Sequence, residues 1–174
     1  MTTNPTEKYS MSFTTGTLLY HPTLTVARLY QEYGDWKSVR QLTVTDNQIQ
    51  ARTPNVARRY YREVASRLKT LNSAEFSLLL NTPYQEQNYL LWLAVCRRYR
   101  YIYDFAVEVL RENYLSLAFT LTDDEYWAYF NGKAAWHAEV ANVADSTRKK
   151  QRQVIFKMLR EADLLTEERQ IIPA

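Results

Sequence analysis

Apolar residues recur at three- and four-residue spacing along most of the chain, and the intervals between these runs are filled with Thr, Asn, Asp, Pro and Gly. That period belongs to helices that bury one face. Leu24, Ala27, Leu29, Tyr30 and Tyr33 predict a first helix beginning after His21-Pro22-Thr23, capped by Thr23 and ended by Gly34-Asp35. Trp36 to about Thr43 reads as a short second helix, and the polar, β-branched stretch 43–52 as a loop or short extended piece. Thr53-Pro54 places a capping hydroxyl before a proline at the first helical position, so a helix should start there and run to about Leu71. Asn72-Ser73 offers another cap for a short helix through Leu80, closed by Asn81-Thr82-Pro83.

Two longer helices follow, from Pro83 to about Arg98 and from about Tyr101 to Tyr114; the second carries Ile102, Phe105, Ala106, Val109 and Leu110 on one side. They are expected to pair as a central helical hairpin. Thr122-Asp123-Asp124-Glu125 is a capping box launching a helix up to Gly132, and another helix is expected over about 134–143. Asp145-Ser146-Thr147 should cap the last long helix, through about Ala162, and 164–173 has the length of a small β-hairpin. The predicted fold class is all-α, with helix-turn-helix or winged-helix-like elements at the N- and C-terminal ends of a central hairpin and a short C-terminal wing. Residues 1–11 read as a flexible arm, 12–80 as a helix-turn-helix-like subdomain, and 81–174 as the hairpin with a winged-helix-like subdomain, with one compact unit as the alternative.

Composition narrows the function. Three glycines in 174 residues, against roughly twelve at ordinary usage of about 7%, leave no material for a dinucleotide-binding turn or a P-loop. The single cysteine, Cys96, lies in the apolar run 89–96, so neither a disulfide framework nor a paired-thiol metal site is available. The longest apolar run is eight residues, far short of the roughly eighteen or more of a spanning helix. A reducing, cytoplasmic setting without membrane attachment is the expectation.

The net charge of +3 names no partner; its placement is more informative. On a helical wheel with Val56 at zero, Val56, Tyr60, Leu71, Val64, Ala57, Leu68 and Tyr61 fill an arc from about 0° to about 140°, while Arg58, Lys69, Arg62 and Arg59 fall between about 200° and about 300°. Six basic residues lie between Arg52 and Lys69 (Arg52, Arg58, Arg59, Arg62, Arg67, Lys69), opposed only by Glu63. The last helix carries Arg148, Lys149, Lys150, Arg152, Lys157 and Arg160 with no acid between Ser146 and Arg160. Four of these crowd its first two turns, where the helix dipole disfavours positive charge. An anion at that end would resolve the conflict, and phosphate is the natural one. Arg58, Arg59, Arg62, Lys69, Arg148, Lys149, Lys150, Arg152 and Lys157 are therefore the candidate DNA-binding residues. A solvated face is the plain alternative for each helix.

Fourteen tyrosines raise the question of base stacking, and Tyr99, Tyr101 and Tyr103 alternate with Arg98 and Arg100. Residues two apart diverge on a helix, so a junction whose tyrosines border the core with hydroxyls reaching water is the better reading. His21 and His137 stand in no metal-ligand spacing, Cys96 sits in apolar company, and the capping box accounts for Asp123–Glu125. No catalytic residue, cofactor or metal is assigned.

Four stretches together resemble one family: Ser12-Phe-Thr-Thr-Gly-Thr-Leu-Leu19, the basic helix from Val56 to Leu71, Trp92-Leu-Ala-Val-Cys-Arg-Arg-Tyr99 with Val107-Glu-Val-Leu-Arg-Glu112, and above all 145–165. In order and spacing they are similar to the small BrxA proteins of BREX phage-exclusion systems. The resemblance implies a small all-helical, non-enzymatic protein that binds double-stranded DNA and works beside the other BREX proteins. Two other functions fit the residues. One is a protein–protein adaptor anchored by Trp36, Trp127 or Trp136; the other is recognition of helical RNA.

Overall fold

Leu19, in the left-handed region at φ 57°, opens α1 (Tyr20–Tyr33). The helix therefore begins before Pro22, whose missing N–H falls in the first turn where no partner is needed, and Thr23 is a buried residue of the helix rather than its cap. Its Oγ1 donates instead to the Leu18 carbonyl at 3.5 Å. Gly34 ends α1 as expected, at φ 68° with its N–H on the Tyr30 carbonyl. Gly16 is needed for two reasons: its φ is 72°, and a Cβ there would fall 2.5 Å from the Leu19 side chain.

In this computed structural model, which describes residues 8–173, the chain divides into two units, 15–98 and 1–14 with 99–174. In the first, Asp35 caps α2 (Trp36–Val44) through the N–H groups of Lys37 and Ser38. Thr53 caps α3 (Pro54–Leu68), with Pro54 in its first turn. A capping box of Asn72 and Glu75 starts α4 (Ser73–Asn81), and α5 (Tyr84–Arg98) completes the unit. α3 is its centre, packed on α1, α2 and α5. Val26, Ala27, Val39, Val64, Leu79 and Val95 are its buried apolar positions of lowest exposure. Arg97 reaches from α5 to Glu75 at the start of α4 with two hydrogen bonds, of 2.5 and 2.7 Å.

The second unit begins its helices with α6 (Arg100–Phe105), which runs through a π-helical segment (Ala106–Arg111) into α7 (Glu112–Leu115). The capping box of Thr122 and Glu125 starts α8 (Asp123–Ala134). The expected helix over 134–143 shrinks to α9 (Ala138–Ala141), because α8 continues through Gly132 and a turn occupies 135–136. α10 (Asp145–Glu161) follows Ala144, which makes no side-chain cap, so Asp145, Ser146 and Thr147 lie inside the first turn instead of capping it. The core is aromatic: Tyr101 stacks with Phe13 (5.8 Å between centroids) and meets Tyr129 edge-on (5.1 Å), and Phe105 contacts Tyr126 and Tyr129.

Among the described residues the chain is helical without a strand. The expected hairpin is reduced to two isolated antiparallel bridges, Thr120 with Gln170 and Leu165 with Ile171. Around them the Ile171 N–H donates to the Phe119 carbonyl (2.7 Å) and the Thr166 N–H to the Gln170 carbonyl (2.9 Å). The two helices expected to form one central hairpin, α5 and α6–α7, fall in different units, with Tyr99 extended between them. The chain thus divides at 14/15 and 98/99, whereas the order of predicted elements suggested 80/81.

The arm expected over 1–11 lies outside the described residues up to position 7. From Tyr9 onward the segment is tied to its unit by hydrogen bonds. Tyr9 is buried, its hydroxyl donates to Asp104 (2.7 Å), its N–H donates to Glu139 (2.8 Å), and the Met11 carbonyl accepts from Gln151 (2.7 Å).

Candidate nucleic-acid interface

Of the six basic residues between Arg52 and Lys69, one is not on the surface. Arg67 is 2% exposed, its Nε donates to Glu63 Oε1 at 2.9 Å, and its NH1 donates to the Thr17 carbonyl at 2.5 Å. Glu63 is buried with it. The pair withdraws the only acid of the segment along with one of its cations, so the outer face of α3 is left wholly cationic. Arg58, Arg59, Arg62 and Lys69 are all exposed on it. Arg58 hydrogen-bonds Asn55, and Lys69 Nζ lies 5.0 Å from the Trp36 ring. No acidic side chain of the described residues comes within ion-pair distance of these four.

The face of α10 is divided. Lys149, Lys150 and Lys157 are exposed, and Lys157 has a loose ion pair with Glu161 at 3.9 Å. Arg148 and Arg152 turn inward. The Arg148 Nε donates to the Val143 carbonyl (2.6 Å) and its NH2 to the Ala141 carbonyl (2.8 Å), which satisfies the end of α9. The Arg148 NH1 also faces Asp145 at 3.4 Å. Arg152 is bound to Asp123, which also accepts from Arg169 at 2.8 Å, so one carboxylate holds the start of α8, the middle of α10 and the segment after it. Two of the four cations that oppose the dipole of α10 are thus held by local oxygen atoms, and Lys149 and Lys150 remain presented to solvent.

One contributor escaped the sequence. Arg40, on the exposed side of α2, faces the same groove as Arg58, Arg62 and Lys69. Its signal was the pair Lys37 and Arg40 at helical spacing, which becomes meaningful only once α2 is known to pack on α3.

Two of the three alternating tyrosines are core residues. Tyr99 and Tyr101 are 1% and 0% exposed, while Tyr103 is at the surface under Arg100. Their hydroxyls do not reach water as expected: that of Tyr101 is buried, and that of Tyr99 points to the Ser12 carbonyl. Burial raises the Tyr101 and Tyr129 phenols and pushes Tyr126 up to about 12. Burial likewise pushes the Cys96 thiol up to about 12, which removes its nucleophilic form at neutral pH. Of the suspected tryptophan anchors, Trp36 stacks on Tyr30 at 4.1 Å and Trp127 packs on Tyr126 and Phe130; only Trp136 stands out, 86% exposed. Among the described residues no group of His, Cys, Asp and Glu has the geometry to hold a metal, and no helix is long and apolar enough to cross a membrane.

A profile of the BrxA family matches residues 7–174, nearly the whole chain and both units. The chain belongs to the BrxA family. Among curated relatives, the BREX protein BrxA of Escherichia coli O9:H4 (strain HS) is 26% identical over 147 residues, covering 84% of this chain and 69% of that protein. Among solved structures, an uncharacterized protein from Magnetospirillum magneticum superposes with a TM-score of 0.83 over 97% of this chain and 87% of its own, at 17% identity. That likeness shows that a BrxA-family sequence and a distant one share the fold.

Proposed function

We propose that this BrxA-family chain is a non-catalytic, cytoplasmic component of a BREX anti-phage system that binds double-stranded DNA through basic faces on its two units. The observation that carries the reading is the α3 face. Four exposed cations stand there without an ion-pair partner, and the one acid of the segment 52–69 is buried against Arg67. Such a face attracts phosphate, and releasing the condensed counterions supplies the affinity. The exposed lysines of α10 add a second site. Its support includes chain order: α6–α7, the bridging residue Thr120, α8, α9, α10 and the Leu165–Ile171 bridge follow the sequence of a winged helix-turn-helix with α10 as recognition helix.

Fluorescence anisotropy with a duplex of about 25 bp at roughly 50 and 200 mM salt tests this. Five to seven phosphate contacts give a log–log slope of about −4.5 to −6, an affinity loss on the order of 10³-fold across that range. Single-stranded DNA and duplex RNA serve as competitors, and K149E with K150E should weaken duplex binding without unfolding the protein. A flat salt response, or equal preference for duplex RNA, refutes the reading.

Trp136 favours a second reading, an adaptor that holds another BREX protein, since an exposed Trp is a common centre of interface energy. Retention of a BREX partner from nuclease-treated lysate, lost in Trp136→Ala, supports it; unchanged retention in that variant refutes the anchor.

A further inference from the structure

Between α2 and α3 lies a groove of about 480 Å³ with cations on both walls: Arg40 on one, and Arg58, Arg62 and Lys69 on the other. From the described residues, no carboxylate enters it. Val44 and Ala65 supply an apolar floor. The two remaining polar groups have their protons committed, since the Tyr61 hydroxyl donates to the Trp36 carbonyl (2.8 Å) and the Ser66 hydroxyl to the Glu63 carbonyl (2.8 Å). The Tyr61 bond also pins α3 to the start of α2, so the walls are set before any ligand arrives.

Four like charges around one groove repel one another, and an anion lying between the walls relieves all of them together. From Arg58 to Lys69 the stripe is about 16 Å long at 1.5 Å per residue, which suits an extended polyanion better than an isolated phosphate. An apolar floor beneath cationic walls matches an alternation of sugar and phosphate. With the Tyr61 and Ser66 protons committed, the donors left to the groove are its cations, and phosphate oxygens satisfy these whatever the base.

We infer that the α2–α3 groove is a sequence-independent clamp for one strand of the DNA sugar–phosphate backbone, completed by Arg40. This rests on the duplex-binding reading above and assigns it a specific seat. The clamp positions the protein on the duplex, and any sequence preference arises elsewhere.

The test measures Kd for two labelled duplexes of unrelated sequence at several salt concentrations, with wild type, Arg40→Gln, Arg40→Lys and the K149E/K150E pair. Circular dichroism and Tm check the fold of each. Arg40→Gln should weaken both duplexes by the same factor and make the slope shallower by about 0.9. The ratio of its Kd to the wild-type value then shrinks about 3.5-fold between 50 and 200 mM. Arg40→Lys keeps the charge and should keep the slope, which a purely structural role for the guanidinium would not predict.

A wild-type slope in Arg40→Gln, or a loss confined to one duplex, overturns the clamp. If the K149E/K150E pair loses affinity while Arg40→Gln does not, duplex binding survives and the groove assignment fails. If wild type binds neither duplex at 50 mM, both fall together.

Discussion

Replacing Arg67 with Ala should cost far more stability than removing any other basic residue of α3. The side chain is 2% exposed and faces Glu63, 9% exposed, at 2.9 Å. Without it Glu63 is left as a buried charge, and the Thr17 and Leu18 carbonyls lose the NH1 donor they share. Breaking a buried pair from one side costs about 3–5 kcal/mol. At about 2–4 °C per kcal/mol for a chain of this size, the Tm should fall by roughly 6–20 °C. Removing both charges together, Glu63→Leu with Arg67→Met, should cost much less than Arg67→Ala alone, because no charge is then stranded. Thermal and urea denaturation of the two variants measures this. A loss under about 1 kcal/mol for Arg67→Ala, or a double variant costing as much as Arg67→Ala, would refute the account of the pair. At a temperature where Arg67→Ala remains folded, the salt slope of its duplex binding should equal that of wild type, since the residue is not on the surface.

Cys96 should react with an aromatic disulfide reagent at pH 8 only as fast as the protein opens, since burial raises its thiol; a stoichiometric burst in native protein would contradict this. The Glu75 carboxyl is held below its ordinary 4.5 by hydrogen bonds from Arg97 and from the Asn72 backbone. Its contribution is therefore fully present above pH 4.5 and lost as the pH falls through the lowered folded value, so Glu75→Gln should flatten the acid limb of a Tm–pH curve. Thr122→Ala removes the α8 cap and should cost about 1 kcal/mol by urea titration. Leu117, exposed at φ 63°, should be replaced by Gly without loss or with a gain of up to about 1 kcal/mol.

Helix caps were legible because they are local chemistry: Gly34, Thr53, Asn72 and Thr122 each act within four residues of themselves. The burial of Arg67 was also written in the chain, since on the wheel of α3 it falls near 20°, inside the apolar arc, and Glu63 near 340°, beside it. The roles of Arg148 and Arg152 were not. Their partners are the carbonyls of a one-turn helix and a carboxylate 29 residues away on α8, and nothing in a run of like charges shows which members are turned inward. Arg40 was missed for the same reason in reverse: a wall of a groove has no meaning until the opposite wall is placed. The spacing of 99, 101 and 103 already argued for a core junction, and Tyr99 and Tyr101 are buried there while Tyr103 is at the surface.

The unit formed by 1–14 and 99–174 is interrupted by the whole of the other. During synthesis, residues 15–98 emerge as an uninterrupted stretch and meet all their own partners early, whereas Tyr9 waits for Asp104, and Met11 for Gln151, 140 positions later. The chain leaves and re-enters that unit at neighbouring points, Phe13 and Tyr99, whose rings are 5.7 Å apart. Residues 15–98 are therefore an insertion whose two ends leave from adjacent points of that unit. Its loops can lengthen or shorten over evolution without separating those two ends.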